Sequence, residues 1–458
     1  LGLTAQDGHY WTQHYGTNSI LLSNANIGGV NDLAAVFYNP GRIGLIEKSA
    51  FLLNTNVFEV SRLRFENLSG QQQERSRTQI VKVPSFVGIN LRPKSMKGHQ
   101  FAFSILQRQD VDIDFNYRDE TNTELFENSP GEELLGSNLR FKQLIKEEWY
   151  SATWAYAFSD RLSVGVTTSL SRLRVNKSTT IELSGLTQLN RLAQYQYDRG
   201  YQLSDFGLLW KLGIAGVNNI FEWGVTVTTP SLHWGGSGVY DYLENFSGID
   251  GVTTAPDLYT TAHQEELEID YRRPLAIGAG ISWPIGKSRL HLSGEWYNSV
   301  PRYTLMEADD HISQTAGDTI SFTLVDELKS VTNFGIGAQI YINPKLSTYV
   351  SMSTDFSAVS DNITGFTQNK PEATNSVFTA DYFHFATGVS FSLRPADVTL
   401  GFTYTGGEQD FTRPTQLPED QQAITTGDEL ATLDWDRIRA VFSFAIPFAR
   451  GDSGNGSD

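Results

Sequence analysis

The residues best suited to acid–base chemistry form two small groups that contain histidine. Asp309, Asp310 and His311 are adjacent in the chain, and His291 and Glu295 are four residues apart. A histidine that contacts a carboxylate can act as a base toward water or a serine hydroxyl. Residues four apart on a strand, however, are separated by roughly 13 Å, and adjacency in a loop does not define a catalytic pair. We therefore expect no enzymatic activity.

The composition argues against several other classes of site. The chain has 458 residues, no cysteine and a net charge of −17. Without cysteine there are no disulfides and no thiolate metal ligands. A strongly acidic surface repels the phosphates of nucleic acids, and no spacing matches a calcium-binding loop. We expect no cofactor, no metal ion and no nucleic-acid partner.

Several ionisable residues share one face of alternating sequence runs whose other face is apolar. These residues are His291, Glu295, His384, Arg437 and Arg439. We predict that they point into an interior, where ionisable side chains need partners. Two interpretations stay open. They could anchor an internal segment to a surrounding wall, or one of them could bind the carboxylate of an amphipathic ligand.

The alternation that orders these residues is typical of β-strands. In one run, Phe221, Trp223 and Val225 alternate with Glu222 and Gly224. Across the runs the second face is mainly Gly, Ser, Thr and Ala, rather than the Lys and Glu of a solvated sheet. No stretch approaches the roughly 18 consecutive apolar residues of a membrane helix. The pattern predicts an all-β chain whose strands face lipid on one side and an interior on the other.

The spacing of the runs predicts a transmembrane antiparallel β-barrel in a bacterial outer membrane. Short links at 93–98, 160, 215–218, 285–287, 344 and 395 alternate with long links at 65–78, 118–147, 183–194, 231–261, 304–327, 358–376 and 409–434. The fourteen predicted strands are 50–64, 79–92, 99–117, 148–159, 161–182, 195–214, 219–230, 262–284, 288–303, 328–343, 345–357, 377–394, 396–408 and 435–448. The barrel therefore occupies 49–448.

The two ends of the chain show no alternation of apolar and polar residues. Residues 1–48 precede the first strand, and we expect most of them to fold inside the lumen as a plug. Leu1–Ala5 are similar to the end of a secretory signal, with cleavage after Ala5. The last strand ends in Phe448, which resembles the terminal aromatic signal read by the barrel-assembly machinery, and a polar tail at 449–458 follows it.

Residues 28–41 of the first segment read GGVNDLAAVFYNPG. This motif resembles that of the FadL family of outer-membrane channels, whose hatch has a glycine-rich start, a short helical run and an Asn-Pro-Ala step. Here the step is Asn39-Pro40-Gly41, which departs from the family at its third residue. The proline disfavours helix at Asn39, so the helical run should end there. The resemblance implies a fourteen-stranded barrel with a lumenal hatch.

The resemblance also implies a lateral opening in the third strand. Phe101, Phe103 and Ile105 alternate outward, and Gln107 and Gln109 then interrupt the apolar face. If outward and inward positions keep alternating past these two residues, the outward face continues with Val111, Ile113, Phe115 and Tyr117. Polar side chains facing lipid are costly unless the wall is interrupted.

The family's third strand is known for a kink that opens the wall, so we expect a lateral gate at Gln107, Arg108, Gln109 and Asp110. Alternatively, these residues simply lie near the membrane interface. Phe37 and Tyr38 of the hatch join the expected ligand or hatch contacts.

The expected function is passive uptake of a hydrophobic or amphipathic molecule, fatty-acid-like or aromatic, with lateral release into the bilayer. The alternative is a structural subunit of a secretion or surface-display machine. A continuous apolar lumen would favour transport, and a tightly filled lumen with large external contacts would favour docking. Both termini should be periplasmic, and the barrel should be monomeric unless it joins a larger complex.

The long predicted loops, such as 408–436, are acidic. They are either solvated loop tips or sites where divalent cations bridge to lipopolysaccharide.

Overall fold

The structure is a computed structural model. It describes residues 8–46, 50–66, 73–79, 84–123, 133–186, 192–248, 257–315, 317, 319–360, 372–373, 379–393, 396–414 and 426–447. The expected signal cleavage after Ala5, the terminal Phe448 and the polar tail at 449–458 lie outside these residues.

The described residues are almost entirely in strands. One short α-helix, α1 (Ala35–Tyr38), lies between two 3-10 turns at Ser19–Leu21 and Pro40–Leu45. The first ten strands are β1 (Ala50–Glu66), β2 (Gln73–Gln79), β3 (Pro84–Leu91), β4 (His99–Thr123), β5 (Glu133–Ser159), β6 (Leu162–Leu186), β7 (Leu192–Val217), β8 (Glu222–Thr228), β9 (Leu232–Ser247) and β10 (Leu258–Leu267). The others are β11 (Ala276–Ile285), β12 (Ser288–Tyr297), β13 (Val300–Ile312), β14 (Thr319–Leu328), β15 (Val331–Asn343), β16 (Leu346–Asp355), β17 (Glu372–Ala373), β18 (Tyr382–Leu393), β19 (Ala396–Pro414) and β20 (Thr426–Pro447).

Fourteen of these strands close into an antiparallel barrel, as predicted. The ring runs β1, β3, β4, β5, β6, β7, β8, β11, β12, β15, β16, β18, β19 and β20, and β20 pairs back with β1. Each predicted strand overlaps one of them. Because β20 pairs back with β1, the sheet has no terminal edge strand, which is the condition for strands to cross a bilayer.

Several predicted loops are in fact strand. Most of the predicted link 118–147 belongs to β4 and β5, which pair as far as Thr123 and Glu133. The predicted links 231–261 and 304–327 contain β9, β13 and β14, and the predicted strand 262–284 is broken between β10 and β11. The prediction relied on an apolar outer face. Strands that extend beyond the bilayer can be polar on both faces, so they lack that signal.

The outer surface of the barrel is apolar within a bounded zone. Trp154 and Phe385 are among the exposed large hydrophobic side chains. On β5 and β6 this apolar face ends at Glu148 and Arg172, which are paired neighbours on the outward side. We take their level as the membrane boundary at the end of the barrel that carries the long connections, because charged side chains avoid the hydrocarbon layer. No helix among the described residues is long and apolar enough to cross a membrane.

The lumen is filled from both ends. The turn end carries the short connections at 160–161, 218–221 and 286–287, and the loop end carries the long ones. Residues 8–46, here called the lumenal segment, are almost all buried. At the loop end, β13 and β14 add a hairpin whose Phe322 stacks on Tyr240 with ring centroids 3.9 Å apart.

Candidate functional site

The lumenal segment turns sharply at Asn39-Pro40-Gly41, as the sequence predicts. Asn39 has extended backbone angles, φ −157 and ψ 100, and ends α1. Its Oδ1 accepts a hydrogen bond from the Gly41 N–H at 3.0 Å. Its Nδ2 donates to the carbonyls of Ile27 and Ile214, each at 3.1 Å. One side chain therefore fixes the turn, the preceding loop and the wall strand β7 together.

The wall leaves room for this turn by presenting glycine. A Cβ placed on Gly165, Gly213 or Gly224 would lie within 3.0 Å of Asn39 or Pro40. These glycines belong to β6, β7 and β8, so three neighbouring strands contact the turn through their backbones. The close approach depends on the missing side chains.

The predicted inward residues Arg437 and Arg439 hold the start of the lumenal segment. Arg437 donates to the Thr12 carbonyl at 3.3 Å, and Arg439 donates to Gln13 Oε1 at 3.1 Å. Arg439 also donates to the buried Glu59 carboxylate of β1. Both arginines are therefore committed to contacts between wall and segment.

Asp355 provides a second anchor, which the sequence analysis missed. Its two carboxylate oxygens accept from the backbone N–H groups of Tyr10 and Trp11, each at 2.9 Å. His384, a predicted site residue, lies beside it with Nε2 at 3.5 Å from Asp355 and Nδ1 at 2.8 Å from Thr405 Oγ1. Asp355 shares the inward parity of its strand, so the alternation could have identified it.

His14 lies in the same region of the lumenal segment. Burial and the neighbouring His384, Arg439 and Arg437 lower the pKa of His14 well below its usual value. The imidazole is therefore neutral at neutral pH, which avoids adding another positive charge beside the two arginines.

The histidine-containing groups considered for catalysis are not assembled. Glu295 accepts from Trp11 Nε1 at 3.0 Å, Tyr297 OH at 2.6 Å and Lys211 Nζ at 3.3 Å. His291 is buried beside Gly29, and neither ring nitrogen has a hydrogen-bond partner within the part of the chain that is described.

In the loop-end hairpin, Asp310 accepts from the Ser321 hydroxyl, and His311 lies beside Tyr240 and Tyr242. Among the described residues, no three His, Asp or Glu side chains are placed to hold a metal ion.

A cavity of about 60 Å³ lies between the lumenal segment and the wall. Its walls are aromatic with buried charges between the rings. The lining residues are Tyr10, Phe37, Arg108, Gln109, Glu147, Trp149, Leu209, Lys211, Thr228, Thr229, Tyr271, Arg273, Pro274, Ala276, Glu295 and Tyr297. Of the predicted site residues, Phe37, Arg108, Gln109 and Glu295 meet here.

Two other predicted site residues lie close to the cavity without lining it. Tyr38 holds the lumenal segment together, because its hydroxyl accepts from the Tyr15 N–H at 2.9 Å. Asp110 follows Gln109 on β4, where it pairs with Lys146 of β5 and is partly buried.

Most charged side chains in the cavity are paired, but the Arg108 guanidinium has a nitrogen without a hydrogen-bond partner among the described residues. Glu147 accepts from Trp149 Nε1 at 2.7 Å, Ser171 Oγ at 2.9 Å and Arg273 Nε at 3.0 Å. The Arg108 guanidinium lies 5.9 Å from the ring centroids of both Phe37 and Trp149. Its buried Nη1 has no hydrogen-bond partner among the described residues. Arg273 Nη1 also has no hydrogen-bond partner there but lies 3.5 Å from the Asp205 carboxylate, so Arg108 is the cationic donor that the cavity offers between two aromatic faces.

A β-bulge in β4 places Arg108 and Gln109 in this cavity. Gln107 pairs with Glu148 of β5 and Gln109 pairs with Glu147, so Arg108 is the extra residue. The bulge reverses the parity of the strand. The expectation that Gln109, Val111 and Ile113 face outward is therefore wrong: Gln109 is buried, and Val111 and Ile113 pack against the interior cluster.

Pairing on the other side of β4 stops at the same level. β3 pairs with β4 from Leu91–Phe101 to Phe86–Leu106, and among the described residues no strand pairs with β4 beyond Leu106 on that side. The Gln107 carbonyl accepts from Tyr15 OH of the lumenal segment at 2.6 Å. A backbone group released from the wall is thus satisfied from inside the barrel.

No family model matches the chain, and no curated protein matches it by sequence. Solved structures do match over almost the whole length. A Pseudomonas aeruginosa FadL homologue superposes with a TM-score of 0.57 at 10% identity, covering 96% of this chain and 100% of that one. The chain has the FadL-family fold.

Two further structures share this fold. The Ralstonia pickettii toluene transporter TbuX matches at 13% identity with a TM-score of 0.52, covering 95% of this chain and 99% of its own. The CymD monoaromatic hydrocarbon channel matches at 11% identity with a TM-score of 0.55, covering 96% and 99%. At such identities the likeness concerns the backbone path and carries no side-chain role.

Within this FadL-like barrel, sequence reasoning missed several residues that build the cavity. Lys211 and Trp149 have the inward parity of their strands and could have been found by it. Glu147 lies just before the predicted start of its strand, and Arg273 lies in a predicted strand that is broken there. Neither position carries a local signal of inward orientation.

Proposed function

We propose that this FadL-like barrel is a passive outer-membrane channel that takes up small hydrophobic or amphipathic molecules and releases them sideways through its wall. The supporting observation is the position of the cavity. Arg108 and Gln109 line it and also belong to the bulge at the level where, among the described residues, pairing between β3 and β4 ends. A molecule in the cavity is therefore next to an interruption in the wall.

The lining suggests the chemistry of the ligand. The rings of Phe37, Trp149 and Tyr297 suit an aromatic or aliphatic body, and the free Nη1 of Arg108 suits a carboxylate. The toluene transporter and the monoaromatic hydrocarbon channel that share the fold fit the apolar part of this proposal. The ligand class is thus an aromatic or fatty-acid-like molecule.

The cavity must enlarge to accept such a molecule. Its volume is about 60 Å³, whereas an apolar protein cavity known to bind benzene measures about 150 Å³. Arg108 contacts Phe37 and Trp149 through cation–π interactions, and its Nη1 donates no hydrogen bond to a described residue. Such contacts are weak enough, about 0.5–2 kcal/mol each, for the side chain to move.

In this proposal the loop end faces the cell exterior, among lipopolysaccharide, and both termini lie in the periplasm. Short turns on the periplasmic side and longer loops outside are the arrangement of bacterial barrels. The barrel-assembly machinery would insert the chain, and the channel would act as a monomer in the outer-membrane lipid.

Blocking the interruption in β4 tests the release step. Gln107 is outward and partly exposed at the bulge, so Gln107→Trp should fill the interruption and slow the uptake of labelled toluene and labelled dodecanoate by cells several-fold. Phe103→Trp, on the outward face of the same strand, is the matched control and should leave uptake unchanged. Equal uptake by wild type and Gln107→Trp at equal protein amounts would rule out release at this position.

A second substitution tests the ligand chemistry. Arg108→Gln should slow uptake of dodecanoate and leave uptake of toluene nearly unchanged, because only the carboxylate needs the guanidinium. Replacing a charged hydrogen-bond donor by a neutral one costs about 1 kcal/mol of binding free energy, which is roughly a fivefold loss of affinity. A parallel loss for both compounds would show that Arg108 shapes the cavity rather than selecting the ligand.

The packed loop end favours a second candidate function. Phe322 of the β13–β14 hairpin stacks on Tyr240 inside the barrel, and a tightly filled lumen suits a docking subunit of a secretion or surface-display machine. Purification in a mild detergent distinguishes the two. A stable larger complex, together with uptake that none of the substitutions above alters, would support docking.

A further inference from the structure

The barrel wall has a second break, on the other side of the cavity. β8 pairs with β11 as far as Thr228–Ala276, and β9 pairs with β10 only from Gly238–Leu267 upward. Between these points, residues 229–237 and 268–275 face each other, and no backbone pairing joins them although both stretches are described throughout. We call this break the side window.

The strand 268–275 is displaced because it pairs elsewhere. Ile269 forms a bridge with Met306, and the Asp270 N–H donates to the Leu305 carbonyl at 2.9 Å. Both partners belong to β13 of the loop-end hairpin. The backbone of this stretch therefore pairs with the hairpin instead of β9, and only the Ile269 side chain packs against Gly236 of β9.

The cavity reaches the side window directly. Thr228 and Thr229 line it from one rim of the window, and Tyr271, Arg273 and Pro274 line it from the other. The cavity thus extends from the β4 bulge at one end, past lining residues of β5 and β7, to the side window at the other.

Arg273 closes the window from inside. Its guanidinium donates to Glu147 at 3.0 Å and to Ser171 at 2.7 Å, and it lies 3.5 Å from the Asp205 carboxylate. A Cβ on Gly207 would lie 2.9 Å from its Nη1, so the guanidinium rests against the bare backbone of β7. One side chain therefore spans three strands behind the break.

The outer rim of the window is apolar and lies at the membrane boundary. Trp234 is the bulged residue of β9, 73% exposed, and Leu232 beside it is also exposed. Phe206 pairs with Gly235 of β9 and, on the other side, with Arg172, which marks the boundary. An exposed tryptophan at this level suits the membrane interface.

The path into the cavity along the barrel axis from the loop end is filled with packed side chains. Tyr201, Tyr240 and Leu324 are buried in the loop-end half of the lumen, and Tyr240 stacks on Phe322. A ligand arriving along the barrel axis would have to displace several of these packed side chains. At the side window the side chains to be moved are Arg273 and Ile269, whose Cδ1 would lie 2.9 Å from a Cβ on Gly236 of β9.

We infer that ligands enter the cavity sideways through the side window, from the outer membrane interface, rather than along the barrel axis from the loop end. The inference rests on the proposed uptake function and specifies its substrate class as molecules that partition into the outer leaflet. Arg273 swings aside to admit them. The molecule then crosses the inner face of β5–β7 and leaves at the β4 bulge.

A bulky group at Gly235 should obstruct the window. A Cβ at Gly235 would have no atom within 4 Å, so a larger side chain fits without a clash. Gly235→Trp should slow uptake of labelled toluene and dodecanoate about tenfold, which corresponds to about 1.4 kcal/mol added to the barrier. Gly136→Trp, also without a close contact but on β5 far from the break, is the control and should keep the wild-type rate.

Blocking after folding separates obstruction from misfolding. The chain has no cysteine, so Gly235→Cys and Gly136→Cys each create a single labelling position. Reaction of the folded barrels with a bulky maleimide should slow uptake only for Gly235→Cys. If both Gly235 variants keep wild-type uptake while Gln107→Trp remains slow, the side entrance is overturned and the channel function stands. Wild-type uptake by Gln107→Trp as well would overturn the side entrance and release at the β4 bulge together, whereas uptake no faster than in cells that lack the barrel would overturn the channel function.

Discussion

Trp154, Val225 and Phe385 lie on the outward faces of three different strands, and all three are exposed. Alternation alone identified them, because a lipid-facing side chain must be apolar at every second position. Replacing any of them by Arg should impair folding, since Arg near the bilayer midplane costs about 2–4 kcal/mol. Folding yields in lipid vesicles measure this effect.

A matched control lies on the same strand as Trp154. Leu134 is equally apolar and exposed, but it lies near the end of β5 at the loop end, beyond the charged boundary at Glu148. Leu134→Arg should therefore fold as well as the wild type. Normal yields for all three lipid-facing variants would contradict the assignment of faces.

The limit of prediction at single residues is visible at Arg108. Alternation located the inward His291, Glu295, His384, Arg437 and other lumenal residues, because each lies in a regular run. It assigned Gln109 to the wrong face because one inserted residue reverses every later position. The bulge in β4 is defined by its register with β5, and the sequence of β4 alone does not show that register.

The turn at Asn39-Pro40-Gly41 is determined both by its own sequence and by the barrel wall that it contacts. The proline determines where α1 ends, and that part is readable from the sequence. The fit to the wall depends on Gly165, Gly213 and other glycines distant in the chain, and single-sequence reasoning does not connect them to the turn.

Substitution of Gly213 tests this fit. A Cβ there would lie within 3.0 Å of Asn39 Oδ1, Pro40 Cδ and the Gly41 nitrogen, so Gly213→Ala should displace the turn. Such overpacking costs about 1–3 kcal/mol. The barrel should still form, while the lumenal segment becomes more sensitive to protease. Gly136→Ala, whose nearest contact would be 3.8 Å, is the control; equal digestion of the two variants would argue against tight packing at the turn.

The closed ring of the whole barrel was predictable from strand number and link length, because lipid permits few alternatives. The filling of the loop end was not. It depends on contacts such as Phe322 with Tyr240, which join distant parts of the chain that looked like loop. The same hairpin provides the backbone partners of Ile269 and Asp270 in place of β9, so the side window was equally hidden from the sequence.

Two plugs in series make a prediction about ion flow. The lumenal segment fills the turn-end half, and the β13–β14 hairpin fills the loop-end half. Because resistances in series add, removing one plug should change the conductance little, and removing both should raise it several-fold. The first variant deletes residues 6–45. The second replaces 299–329 by a short turn, which is feasible because Tyr297 pairs directly with Val331. Planar-bilayer recordings of each variant and of the double deletion measure the effect, with wild-type barrel as reference. A full increase after either single deletion would show that only one half is closed, and no increase in the double deletion would show that neither segment blocks the lumen.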